Sequence, residues 1–144
     1  MKPFRIPVAL RWADFDPNFH LRHSVYYDFG AMARVEFLNA AGVTSAFMEE
    51  YRIGPVLFRE EALFRREVRP GDELFVDVKI SRLRANGTRF SMRHELSRAD
   101  GTCCAVMNVD GAWIDMQRRK LAEPPQEVID ALTQGPRTED FEWQ

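Results

Sequence analysis

The stretch RWADFDPNFHLRHSVYYDFGAMARVEFLNAAG, Arg11 to Gly42, constrains the fold of this chain more than any other. It gathers two carboxylates, an asparagine and two histidines into a polar turn, and a long apolar helical run follows directly. Tyr26, Phe29, Ala33, Phe37 and Ala40 fall on one stripe at helical spacing, while Val25, Met32, Val35 and Leu38 carry apolar character round most of the remaining circumference. A helix that is apolar on nearly all sides needs cover on nearly all sides, so the spacing predicts a buried helix over residues 25–41. Ser24 is placed to cap it, because a serine hydroxyl can accept a free N–H of the first turn. Gly42 is placed to end it, and residues 44–51 read as a short second helical segment.

From Pro55 onward the period shifts toward two. Residues 57–68 read as extended, and Arg69-Pro70-Gly71-Asp72 as a turn, since Pro presets φ and Gly permits a positive one. Leu74, Val76, Val78 and Ile80 alternate with Phe75, Asp77, Lys79 and Ser81 as one half-buried strand. Asn86-Gly87 is a strong hairpin signal and leads into a strand with Phe90, Met92, His94 and Leu96 on one face. After Asp100-Gly101, residues 103–116 form a last long strand with Gly111 as its expected bulge. Pro124 and Pro125 open a short amphipathic helix ending near Thr133, and Ile6, Val8 and Leu10 mark a first strand within residues 4–12. Tight turns make neighbouring strands antiparallel. The expected fold is therefore α+β: a curved antiparallel sheet wrapped around one long central helix, one domain over residues 1–134 with a polar, loosely held tail over 135–144.

The net charge of −2 over 144 residues argues against a general nucleic-acid or membrane-surface binder, which would be basic. No stretch approaches the ~20 apolar residues that span a bilayer. The apolar N-terminal run is short for a secretory leader and is broken by Arg5 and Pro7. Cys103 and Cys104 are adjacent, a poor basis for a disulfide framework, and no Cys/His spacing resembles a zinc site. These features lead us to expect a soluble, cytoplasmic protein without metal or other cofactor. Three Trp and eleven Phe imply a thick apolar interior, an apolar ligand site or a subunit interface, and composition leaves the choice open.

In the order and spacing of its motifs the chain resembles the hotdog-fold thioesterases, in particular the 4-hydroxybenzoyl-CoA thioesterase-like acyl-CoA hydrolases. Asp14, Asp16, His23, Tyr26, Ala33-Arg34, Glu36 and Leu38 match the bacterial acyl-CoA hydrolase pattern without a gap. Asp16, Asn18 and His20, followed by Phe64-Arg65-Arg66-Glu67, are similar to the plant acyl-ACP thioesterase pattern. The Gly-rich turn common after the family's catalytic Asp is replaced here by Pro17-Asn18-Phe19. The resemblance spans residues 4–132 and implies the hotdog fold, thioester hydrolysis of acyl-CoA or acyl-ACP, and a homodimer or homotetramer with sites at the subunit interface.

Thioester hydrolysis needs an activated water or a carboxylate nucleophile, plus donors for the developing oxyanion. Asp16 is the first choice for base or nucleophile, beside a helix start whose free N–H groups can polarise the carbonyl; the alternative is that it only caps a turn. The backbone N–H near His23 is the expected oxyanion donor. His20 and His23 are acid/base candidates or surface turn residues, and Asn18 could position water or serve the backbone. Glu67 would complete the acyl-ACP-type set, whereas Glu36 and Asp28 rank lower as helix carboxylates. His94, on an apolar strand face, reads as a satisfied core or interface residue. Arg65, Arg66, Arg82, Arg84 and Arg89 are candidate cations for a CoA nucleotide, although solubilising charge explains them equally. The competing functions are a non-hydrolytic acyl-thioester binder and a hotdog hydroxyacyl-thioester dehydratase.

Overall fold

The computed structural model describes residues 2–144. In chain order the elements are β1 (Arg5–Val8), a 3-10 turn (Trp12–Asp14), α1 (Val25–Ala40), α2 (Ser45–Tyr51), β2 (Ile53–Phe64), β3 (Leu74–Asp77), β4 (Lys79–Leu83), β5 (Arg89–Arg98), β6 (Cys103–Asp115), β7 (Lys120–Leu121), α3 (Gln126–Gln134) and β8 (Arg137–Trp143). All strands join one sheet. β2 pairs β6, β6 pairs β5, and β5 pairs both β3 and β4; β1 then flanks β3 while β8 flanks β4. Every pairing is antiparallel except β4 with β8.

The alternation of β5 drives its side chains to two faces. Phe90, Met92, His94 and Leu96 are buried, and the residues between them are half-buried. Against this face α1 lays Val25, Tyr26, Ala33, Phe37 and Leu38, all buried. Each large apolar side chain so covered contributes roughly 1.5–3 kcal/mol. This is the curved sheet around a long helix that the sequence predicts.

Four local expectations are corrected. The first strand stops at Val8, because the Asp14 carboxylate folds the chain back onto Arg11, accepting its N–H at 2.9 Å and its guanidinium at 2.7 Å; local bonds of this kind compete with a strand ladder. Ser24 does not cap α1. Its backbone is already helical and its hydroxyl accepts a hydrogen bond from the Arg22 guanidinium at 3.1 Å. The bulge lies across from Gly111, at Phe58 of β2, where the register steps from Leu57 to Arg59. Gly111 serves a close approach instead, since a Cβ there would stand 2.5 Å from the Val56 carbonyl oxygen and 2.7 Å from the Phe90 ring. The residues expected as a loose tail form β8, whose start is tied by Ile80 N–H to Pro136 O at 2.7 Å and whose end by Gln144 N–H to Leu83 O at 2.9 Å. β8 is an edge strand with Thr138 its one buried side chain, so its sequence is polar although its backbone is paired.

Two further differences bear on function. The helix expected to be covered on nearly all sides is covered on one: Met32 and Val35 are 55% and 51% exposed. The strand expected over residues 74–80 breaks at Val78 into β3 and β4. There the Asp77 carboxylate takes the Glu95 N–H at 2.6 Å, and the Asp77 carbonyl oxygen faces His94 Nδ1 at 2.9 Å. Side-chain bonds thus replace two rungs of the ladder. Among the described residues no helix is long and apolar enough to cross a membrane.

Candidate active site

The polar turn ahead of α1 is held by Asp16. Its Oδ1 accepts the N–H groups of Asn18 at 2.9 Å and His20 at 3.0 Å, and its own N–H donates to His20 O at 2.8 Å. These bonds sustain Phe19 at φ 60°, a left-handed conformation uncommon for a residue with a side chain. Leu21, buried, then donates its N–H to Val68 O at 3.2 Å and docks the turn on the segment that follows β2.

That docking brings distant residues together. His20 Nε2 lies 3.4 Å from Glu67 Oε1, and both line a cavity of about 350 Å³ shared with His23, Tyr26, Phe64 and Arg65. Arg69, donating to Glu67 at 3.0 Å, and His20 hold the Glu67 carboxyl below its usual range. The Tyr26 ring meets Phe64 edge-on at 4.8 Å and closes the inner wall, and burial pushes the Tyr26 hydroxyl pKa up. The N–H groups of His23 and Ser24 donate to no acceptor among the described residues, so the uncapped start of α1 presents free donors beside the cavity.

Of the sequence candidates, His20, His23 and Glu67 share this cavity. Asp16 stands behind His20, bonded to its backbone, and is not among the lining residues. Asn18 is exposed on the outer turn and contributes its backbone N–H to Asp16. Asp14 is buried and bound by Arg11, which holds its carboxyl below the usual range. Asp28 is exposed on the opposite side of α1, beside a second cavity, and Glu36 is exposed.

His94 is satisfied, as its position suggests. Arg34 Nη1 lies 3.0 Å from its Nε2, and a guanidinium only donates, so Nε2 accepts and Nδ1–H donates to Asp77 O. Arg34 Nη2 also lies 3.6 Å from Glu60 on β2. The sequence assigns Arg34 no role, yet one signal was there: a lone cation amid the apolar run of α1, with a lone histidine on the inward face of β5.

No curated protein matches the sequence. Many solved structures share the architecture, among them the following three. A Staphylococcus aureus protein solved in complex with CoA superposes with TM-score 0.88 at 17% identity, covering 98% of this chain and 90% of its own. A 1,4-dihydroxy-2-naphthoyl-CoA thioesterase from Synechocystis superposes with TM-score 0.81 at 20% identity, covering 92% and 96%. A DHNA-CoA thioesterase from Staphylococcus aureus gives TM-score 0.82 at 14% identity, covering 93% and 91%. At these identities the likeness speaks for the fold, which is the hotdog fold expected from the sequence. The sequence itself matches the family model of the thioesterase-like superfamily across residues 10–132, and to that superfamily this chain belongs.

Proposed function

We propose that the protein hydrolyses acyl thioesters of CoA or of an acyl carrier protein at the N-terminus of α1. The observation that carries this reading is the His20–Glu67 pair, held over the Asp16 turn beside a helix start with free N–H groups. Asp16 does not line the cavity, but it keeps Oδ2 outside the hydrogen bonds that fix its turn; in this reading the attacking water stands between Oδ2 and the cavity, and Asp16 takes its proton as general base. Water oxygen bonds to the thioester carbon, and the negative charge that develops on the carbonyl oxygen faces the N–H groups of His23 and Ser24. As the C–S bond breaks, His20, oriented by Glu67, delivers a proton to the departing thiolate. The products are a carboxylic acid and a free thiol. His23 and Arg65 face the same cavity and suit the polar arm of the thiol carrier. Neighbours named as CoA thioesterases, and one solved with CoA, support CoA thioesters as the first substrates to assay.

A panel of acyl-CoAs of graded chain length is expected to show steady thiol release in a disulfide-exchange assay. Tight binding without release would assign the protein to acyl-thioester binding, and loss of water from a hydroxyacyl-CoA without thiol release would assign it to dehydration.

The active form in this reading is at least a homodimer. β2, twelve residues long, pairs on one edge only and leaves the backbone donors and acceptors of its alternate residues open on the other, with Leu57, Phe58, Leu63 and Phe64 exposed. A long open edge of this composition is a template for a second chain. Light scattering is expected to give at least twice the mass of one chain, and Val35→Glu on the uncovered side of α1 to reduce it to one. A monomeric wild type would refute the pairing.

A further inference from the structure

Tyr26 stands on the wall of the His20–Glu67 cavity with its hydroxyl unspent. The residue is 5% exposed and lines that cavity. A buried tyrosine ordinarily finds a partner for its O–H. Here the hydroxyl makes no hydrogen bond to any described residue, yet it is not among the polar atoms sealed away without a partner, which belong to Arg98, Trp113, Arg137 and Thr138. The cavity therefore reaches it. Packing gives no reason for the hydroxyl: the ring meets Phe64 edge-on at 4.8 Å, and a phenylalanine ring would do the same without an unpaired polar group.

The place of Tyr26 on α1 says what that hydroxyl can serve. A long side chain on a helix leans toward the N-terminus and covers the residue three places before it. Ser24 already has helical backbone and Val25 N–H donates to Arg22 O at 3.1 Å, so the helical path runs back through His23, the residue that Tyr26 covers. Three donors without a protein acceptor thus gather on one side of the cavity: the N–H groups of His23 and Ser24, and the Tyr26 O–H. The Glu67 carboxylate, an acceptor on the same cavity wall, is already held by Arg69 and His20. Burial keeps the proton on the phenol, so across the neutral range the hydroxyl remains a donor.

We propose that Tyr26 donates its O–H to the carbonyl oxygen of the bound thioester, a third oxyanion donor beside the N–H groups of His23 and Ser24. The proposal rests on the thioesterase reading for the identity of the ligand. The bond strengthens as the carbonyl oxygen gains negative charge, so it acts on kcat more than on KM. The edge contact with Phe64 holds the ring in place before substrate arrives, and a donor fixed in advance costs no reorganisation during the reaction.

Tyr26→Phe keeps the ring and removes the donor. Thiol release from octanoyl-CoA is expected to lose about a hundredfold in kcat, with KM little changed and no fall in melting temperature. Wild-type kcat in the variant overturns the proposal, as does a loss that only follows a fall in melting temperature. The ketone analogue of octanoyl-CoA, with methylene in place of the thioester sulfur and carbon-13 at the carbonyl, tests the bond without turnover. Its carbonyl resonance should lie further downfield in the wild type than in Tyr26→Phe; equal shifts, or no binding, overturn the proposal. Should the variant fail to fold, the Tyr26 ring carbon that bears the hydroxyl is followed in the wild type, assigned by Tyr27→Phe and Tyr51→Phe. A shift with the ketone but not with the octyl thioether of CoA supports the bond, and the same shift with both removes it. A wild type that releases no thiol yet shows the Tyr26-dependent carbonyl shift sinks the hydrolase reading and leaves Tyr26 as a carbonyl donor.

Discussion

Asp16→Asn is expected to lower kcat/KM for acyl-CoA hydrolysis by about a thousandfold, the range typical of losing a positioned base. The substitution separates the two things Asp16 does. An asparagine Oδ1 still accepts the N–H groups of Asn18 and His20, so the turn that carries His20 to Glu67 keeps its bonds. What disappears is the negative charge and the affinity for a proton at Oδ2. The melting temperature should therefore move little, whereas Asp16→Ala, which removes the turn's acceptor as well, should lose both activity and stability. The measurement is steady-state thiol release beside thermal unfolding for both variants. Wild-type turnover in Asp16→Asn would reduce Asp16 to a turn residue and pass the role of base to His20.

The second large effect is on stability in acid. His94 is fully buried, and its Nε2 is committed to Arg34. Burial, and then the Arg34 charge, push its pKa down to about 4. An unfolded histidine titrates near 6.5, so between about 6.5 and 4 the unfolded chain binds a proton that the folded chain refuses. Stability from this group is complete above about pH 6.5 and falls as the pH drops toward 4, by about 3 kcal/mol. Urea unfolding at pH 7 and pH 4.5 should register most of that loss. His94→Gln offers a donor and an acceptor without titrating, so the variant should lose less on acidification than the wild type. Other groups that titrate in acid, Asp14 among them, are common to both proteins and cancel in the comparison. Equal losses would remove His94 as the cause.

What was legible in the sequence is what short-range periodicity carries. Spacing over seventeen residues announced α1, alternation announced β5, and the chain reversals at Gly71, Gly87 and Gly101 all fall at glycines with positive φ. Of the candidate residues read from the sequence, His20, His23 and Glu67 line one cavity, but their connections were not legible. His20 and Glu67 are forty-seven residues apart, and tertiary contacts, the bond from Leu21 to Val68 and the Tyr26–Phe64 ring contact among them, set them side by side. Properties that belong to two strands at once were misplaced for the same reason. Gly111 looks like a bulge when read alone, yet the extra residue is Phe58 on the facing strand. β8 was invisible because an edge strand with one buried residue has no apolar alternation to display. Met32 and Val35 announced burial that one chain does not supply, a mismatch that a second copy would resolve.

The break at Val78 has a consequence for how such a fold is inherited. Elsewhere in the sheet the backbone supplies the cross-strand bonds, and side chains can drift so long as they stay apolar on the inner face. Between β3 and β4 that bonding is delegated to the Asp77 carboxylate and the His94 ring. The bend of the sheet beneath α1 is therefore spelled by two residue identities. Each of the two bonds ends on a backbone group, so either residue can be replaced alone only at the cost of the one cross-strand bond its own side chain makes.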